Sequence, residues 1–428
     1  MTFNVYPLVF LDNLMMAMKT MTFSSQNVGR GLSGVVMVLA LVFAGCDAGT
    51  QTSLYDPNRT SDVPPTLTSL SPDGAALAGV DVVAISGTDF SPVAAENLVY
   101  FGAEKATIIS ASPTRLEVVP PSTPMDEATV RVAVLGSDTY SNALSYRLEA
   151  PFVRFGGITK LEEPLAIASD AIGNLYMVMS LEGRIQGVYQ LDVDTEERTL
   201  YGKTTFPYRS MVIDATGQIT AGQQFGLFQM SGGGAREALW TYTNDFQLLL
   251  RSIATDSDGH YWLVGNRDKV YHVNLEGTFS AYDLPFSPRA IYVDGDRALM
   301  SGELEDGTRK VWSFPITAEK TLGEPTEIYN TTSALGPDAF VSAITVAPDG
   351  AVMLGTNQGD PIVAIEPSGS ASVLYPGILG QPDGFGPTSV VAMAWAPGGQ
   401  LYVSLAKVIA DDGSDAPNMR LIRVNTRR

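Results

Sequence analysis

Cysteine and histidine are nearly missing from this chain. In 428 residues there is one cysteine, Cys46, and two histidines, His260 and His272. A single thiol excludes a disulfide framework within the chain. Two histidines leave little for a zinc centre built on several of them. His260 falls in a turn and His272 on a later strand, so the two are expected to stay apart in structural roles. Positive charge is also scarce, with 27 Lys and Arg against 46 Asp and Glu, a net charge of −19. That excludes nucleic acid as a partner, because a phosphate backbone demands a basic face. No glycine-rich loop of the P-loop or dinucleotide type occurs. Long apolar runs are missing too, the longest being about a dozen residues in "GLSGVVMVLALVFAGC", short of the roughly 20 that span a bilayer.

What is present is enough apolar material for sizeable cores, 45% hydrophobic against 17% charged residues. The length implies two or more domains. The short apolar run follows Arg30 and ends in the small residues Ala44 and Gly45, the pattern of a signal peptide. Its end, "FAGC", resembles the lipobox of bacterial lipoproteins, with Phe43 where Leu, Val or Ile is usual. The resemblance implies that Cys46 is acylated, that residues 1–46 are a signal peptide, and that the partner here is a membrane. An uncleaved signal anchor is the alternative. Translation from Met21 would leave a signal peptide of ordinary length. Residues 47–63 are polar and turn-rich, and read as a linker.

Residues 64–150 hold short segments rich in β-branched residues, among them "VDVVAISG", "NLVYFGA", "RLEVVPP" and "ATVRVAVL", separated by turn formers. Strands of this length and spacing predict a sandwich. "PPTLTSLSPDGAALAGVDVVAISGTDF", "NLVYFG", "VVPP" and "SNALSY" occur in order and closely resemble the IPT/TIG domain, which implies an immunoglobulin-like fold acting as spacer or binding module. Gly87 and Gly102 stand at expected strand ends, where a turn can demand positive φ.

From 151 to 428 the chain repeats itself. "PLAIASDAIGNLYMVMS", "RSMVIDATGQITAGQ", "RSIATDSDGHYWLVG", "RAIYVDGDRALMSG", "VSAITVAPDGAVMLG" and "VAMAWAPGGQLYVSL" are six copies of an apolar strand, a turn with Asp or Gly, and a second apolar strand. Third strands follow at intervals. Four-stranded units repeated in this way predict a six-bladed β-propeller. Copy six lacks an evident fourth strand, and "FVRFGG" at 152–157 has no other partner, so it is expected to close the ring. The D-x-x-G spacing and "GQPDGFGP" resemble NHL-type propellers, and "DSDGHYWLVG" is similar to the propellers of hybrid sensor proteins. The fold class is all-β, an immunoglobulin-like sandwich followed by a six-bladed β-propeller.

The chemistry is sparse, and no catalytic residue, metal or cofactor is expected. Propeller lactonases, similar in architecture, hold a divalent metal with Glu, Asn and Asp, but Glu162, Glu163 and Glu303 do not form that pattern. Asp411, Asp412 and Asp415 are hard oxygen ligands of the kind Ca²⁺ takes, in a spacing that suits a solvated loop equally. Three copies begin with an arginine in one register, Arg209, Arg251 and Arg289, each five residues before Asp214, Asp256 or Asp294. At roughly 3.3 Å per residue those aspartates lie about 16 Å along the strand and are no partners. The arginines are expected around the mouth of the central channel. There they pair with loop acids such as Glu182, Asp268 or Glu303, or receive an anionic ligand. The architecture resembles that of surface glycan-binding lipoproteins, which implies a non-catalytic envelope lipoprotein, at the outer membrane or cell surface, that binds an extracellular ligand such as a glycan or protein. The alternative is a scaffold in an envelope complex, with a propeller lactonase or lyase third.

Overall fold

The computed structural model describes residues 62–214, 216–224, 226–233, 236–242, 248–379, 389–406 and 421–428. Cys46 and the three aspartates at 411, 412 and 415 lie outside them. The first folded part is a two-sheet sandwich. One sheet runs Thr66–Ser71, Val83–Thr88, Arg115–Val119, Thr107–Ser112, and the other Ala75–Leu77, Leu144–Glu149, Met125–Val134, Asn97–Phe101, Glu104–Lys105. Alternation decides what faces inward. In Met125–Val134 the residues Ala128, Val130 and Val132 are buried while Thr129 and Arg131 are exposed. Ile85, Val99, Phe101, Leu116, Val130 and Leu148 fill the space between the sheets. Gly102 adopts φ +60° as its turn requires. Gly87 does not: it lies inside a strand, and a Cβ there would stand 2.1 Å from the Thr66 carbonyl oxygen. Close approach of the neighbouring strand, rather than a turn, explains that glycine.

Beyond it come six four-stranded antiparallel sheets, a propeller-like arrangement. Their first strands are Glu162–Ser169, Ser210–Ile213, Leu250–Thr255, Ser287–Asp294, Val341–Val346 and Val390–Ala396. Each first strand packs against the first strand of the next sheet, and the last packs against the first. The second strands, such as Leu175–Leu181 and Tyr261–Gly265, are buried on both faces, as expected for strands sandwiched between adjacent sheets.

The turn joining first to second strand shows why aspartate recurs. Asp170, Asp214 and Asp256 each turn one carboxylate oxygen onto the backbone N–H groups two and four residues on, at 2.8–3.1 Å. The glycine three residues on closes the turn on the aspartate's carbonyl. The repeated aspartate therefore caps a turn.

Serine hydroxyls join neighbouring sheets at five places. Ile253 N–H donates to Ser210 Oγ at 3.0 Å, and Ser252 Oγ exchanges hydrogen bonds with the Ile291 backbone at 3.2 Å. Ser301 donates to the Val341 carbonyl at 2.9 Å, Ser342 to Val390 at 2.5 Å and Ser404 to Pro164 at 2.6 Å. Ser301 and Ser404 sit on second strands, whereas Ser210, Ser252 and Ser342 sit on first strands. In the fifth sheet the second strand carries Gly355, where a Cβ would lie 2.5 Å from Val390 Cγ1. A side chain there would push the next sheet away.

The sixth sheet is completed from the other end of the repeat region. Phe152–Arg154 pairs antiparallel with Leu421–Asn425, with Phe152 opposite Val424 and Arg154 opposite Ile422. It is the outermost strand, in the place expected of "FVRFGG". Arg427 reaches back to the sandwich, pairing with Asp81 at 3.0 Å and Glu149 at 3.4 Å. Arg428 instead pairs with Asp349 at 2.7 Å and with Glu366. Among the described residues, no helix is long and apolar enough to cross a membrane.

Replacing Ser404 with alanine tests the joints. It strands the buried Pro164 carbonyl, which should cost about 1–3 kcal/mol in urea unfolding. Ser368→Ala, at an exposed turn, should stay within about 0.5 kcal/mol. Equal stability of the two variants would remove the joints from the account.

Candidate functional site

The first strands enclose a central cavity of about 300 Å³, lined from all six sheets by residues including Ile167, Met211, Ile253, Tyr292, Ile344 and Trp395. Arg209 and Arg251 stand at its rim. Arg289 does not line it. It faces a larger neighbouring cavity of about 680 Å³, which Arg251 also lines. The three arginines hold one register in sequence yet divide between two cavities, with Arg251 on both.

The partners of Arg251 and Arg289 differ because each meets a different downstream residue. The Arg251 guanidinium donates to the Pro288 carbonyl at 3.1 Å. That of Arg289 lies over the Phe340 ring, 3.9 Å from its centre, a cation–π contact. Among the described residues, none of the three arginines forms an ion pair with Glu182, Asp268 or Glu303. Glu303 is held by Arg309 Nε at 2.7 Å, and Arg309 also donates to the Pro337 carbonyl at 2.6 Å. Asp268 shares the larger cavity without pairing, and Glu182 lines neither cavity. Although Arg289 is exposed overall, burial around its guanidinium and the nearby Arg251 and Arg309 charges pull it below the usual arginine range, and Glu303 only partly offsets this.

A second cluster overturns the expectation that the histidines stay apart. His260 Nδ1 and His272 Nε2 are 3.1 Å apart, within hydrogen-bond distance. The register explains it. Tyr261 pairs with Val273 and Trp262 with His272, so His260 projects one residue beyond and lies diagonal to His272, within reach for long side chains. Asp256 completes the group, with one ligand atom from each of the three residues all within 4.8 Å of one another. Such a trio could hold a transition metal. The carboxylate, however, is already filled: it accepts from the Asp258 and His260 backbones, from Trp262 Nε1 at 3.1 Å and from Lys320 Nζ at 3.0 Å. Burial opposes its charge, but the hydrogen bonds from Lys320 and Trp262 outweigh that and hold it below the usual carboxylate range. Lys320, which also pairs with Asp258 at 2.5 Å, is the cation this carboxylate holds. The cluster braces the turn of the third sheet against the fourth.

Burial, and then His260, push the His272 imidazole below its ordinary value of 6.5. The folded state thus holds it neutral while the unfolded chain takes up a proton. The associated stability is present above pH 6.5 and is lost as pH falls below it. Stability measured between about pH 7.5 and 5 should fall more steeply for the native chain than for His272→Gln. Parallel curves would mean that His272 titrates alike in both states.

Residues 65–148 match the IPT/TIG domain family. No curated protein matches the sequence. Among solved structures, the chain is similar to an auxiliary nutrient binding protein from Bacteroides thetaiotaomicron at 12% identity and a TM-score of 0.50, over 87% of this chain and 99% of that one. A putative phosphatase from the same organism is similar at 12% identity and a TM-score of 0.51, over 85% and 97% of the two chains. The calcium-binding protein regucalcin from Agrobacterium tumefaciens is similar at 13% identity and a TM-score of 0.50, over 65% and 94%. At such identities the likeness is one of fold alone: an IPT/TIG domain followed by propeller-like, all-β sheets.

Proposed function

We propose that this chain is a non-catalytic cell-envelope lipoprotein that binds an extracellular ligand, a glycan foremost, on the mouth face of a six-bladed, NHL-like propeller. The IPT/TIG domain serves as spacer and Cys46 as the lipid anchor, at the outer membrane or cell surface. The observation that carries this reading is the 680 Å³ cavity lined by Arg251 and Arg289, in a chain of net charge −19. A cavity of that size suits a small-molecule ligand. Arginine is well fitted to oriented recognition of anions. One of the cavity's three carboxylates, Glu303, is tied to Arg309 and helps to hold the wall. The auxiliary nutrient binding protein that shares the fold adds support for capture of a solute.

A glycan and polysaccharide array probed with the full chain should give a restricted set of binders. Arg251→Ala should weaken them roughly tenfold, because it removes a charge from the cavity wall and the link that holds that wall to the Pro288 carbonyl. An array without binders would refute the glycan reading, and unchanged binding by the variant would move the site away from the mouth. The anchor is tested separately. Cys46→Ala should leave an uncleaved precursor or a protein released from membranes, since two acyl chains suffice for stable attachment. An intact Met1 or Met21 terminus in the mature membrane-bound protein would refute it.

A further inference from the structure

We infer that the larger mouth cavity selects a hydroxylated monocarboxylate, a sugar acid of the uronic class, over neutral sugars and over polyanions. This rests on the ligand-binding reading above and gives the ligand's chemistry. Of the three guanidiniums at this cavity, two are spent: Arg251 on the Pro288 carbonyl, Arg309 on Glu303 and the Pro337 carbonyl. Arg289 differs. Among the described residues its guanidinium has the Phe340 ring on one face and no hydrogen-bond acceptor at its edge. The stack fixes the plane of the fork, and the open edge carries parallel N–H donors suited to the two oxygens of a carboxylate. Neighbouring Arg251 and Arg309 charges add to the potential an anion would relieve there.

A second, independent observation points to a hydroxyl-bearing ligand. Thr331 lines the same cavity with only 1% of its surface exposed, and its Oγ1 has no hydrogen-bond partner. A buried hydroxyl left unpaired is costly. That oxygen is itself shut off from solvent, so a ligand hydroxyl would satisfy it after a small shift of the wall.

The charge census sets the limit on ligand charge. The lining carries four cations, Arg251, Arg289, Arg309 and Lys310, and three anions, Asp268, Glu303 and Glu305. Lys310 is held by Glu327, outside the lining, at 2.7 Å, so three cations face three anions and no surplus positive charge remains for a second anionic group. The acids repel a second anionic group and accept hydrogen bonds from sugar hydroxyls. A polyanion meets that repulsion, and a neutral sugar leaves Arg289 unmatched.

Calorimetry with the full chain in detergent tests this, using glucuronate and galacturonate, the parent hexoses and a heparin oligosaccharide. The expected result is a uronate that binds at least roughly tenfold more tightly than its parent hexose and the heparin fragment. Arg289→Ala should abolish that preference, and Arg289→Lys should restore it only in part, because it keeps the charge without the fork. Thr331→Val should weaken the uronate several-fold while leaving its preference over the neutral hexose intact. Thermal unfolding checks that each variant is folded. If array ligands bind but the uronates do not, or neutral or polyanionic sugars bind as tightly, or folded Arg289→Ala keeps the preference, this inference falls while the ligand-binding reading survives. If neither the array nor the panel shows any binder, both fall.

Discussion

Everything around the two cavities depends on how closely neighbouring inner strands can approach. Strands in different sheets share no continuous backbone ladder, so the polar groups where two sheets meet must find partners elsewhere. A serine hydroxyl, small and able both to donate and accept, meets that need in the space available. The joints at Ser210, Ser252, Ser301, Ser342 and Ser404 are such links. The hydroxyl comes from either strand of a hairpin, so the geometry of the joint rather than one sequence position is maintained. Gly355 serves the same end by omission, removing the atom that would collide with Val390.

Fixed inner strands place the arginines, and the surroundings then give each a different character. Arg251 becomes a structural link to the following sheet through Pro288. Arg289 is laid against an aromatic ring contributed from just before the fifth sheet's first strand. The neighbouring Arg309–Glu303 pair is half-exposed, so its energetic worth is small. Its larger effect is to remove a carboxylate that would otherwise neutralise Arg289.

The architecture was readable because each repeat states its strands and turns locally: apolar runs for strands, Asp and Gly for a capped turn. Even the partner of "FVRFGG" followed from counting strands. Contacts between repeats were not so written. Arg209, Arg251 and Arg289 look alike in sequence, and what separates them is a carbonyl or ring supplied 37 residues on in one case and from Phe340 in another. The histidine pair was within reach of register reasoning, since pairing Tyr261 with Val273 puts His260 diagonal to His272. Assigning one to a turn and the other to a strand hid that proximity. Serine within a strand looks unremarkable, so the joints gave no signal. A strand-end position suggests positive φ for Gly87, but a missing Cβ serves close approach as readily.

The pairing of Phe152–Arg154 with Leu421–Asn425 also imposes an order in time. The outer strand of the sixth sheet is synthesised first and waits for a partner that leaves the ribosome only after the intervening sheets. Until then five sheets can form in sequence from local hairpins, while Phe152–Arg154 has no partner strand and its edges are unpaired. Long-range pairings of this kind slow folding and expose edges prone to wrong association. The sandwich emerges ahead of that waiting strand, with Glu149 three residues before Phe152, so a folded neighbour flanks it throughout. Any release of the chain before residue 421 would leave a protein that is nearly all made and whose sixth sheet lacks a strand.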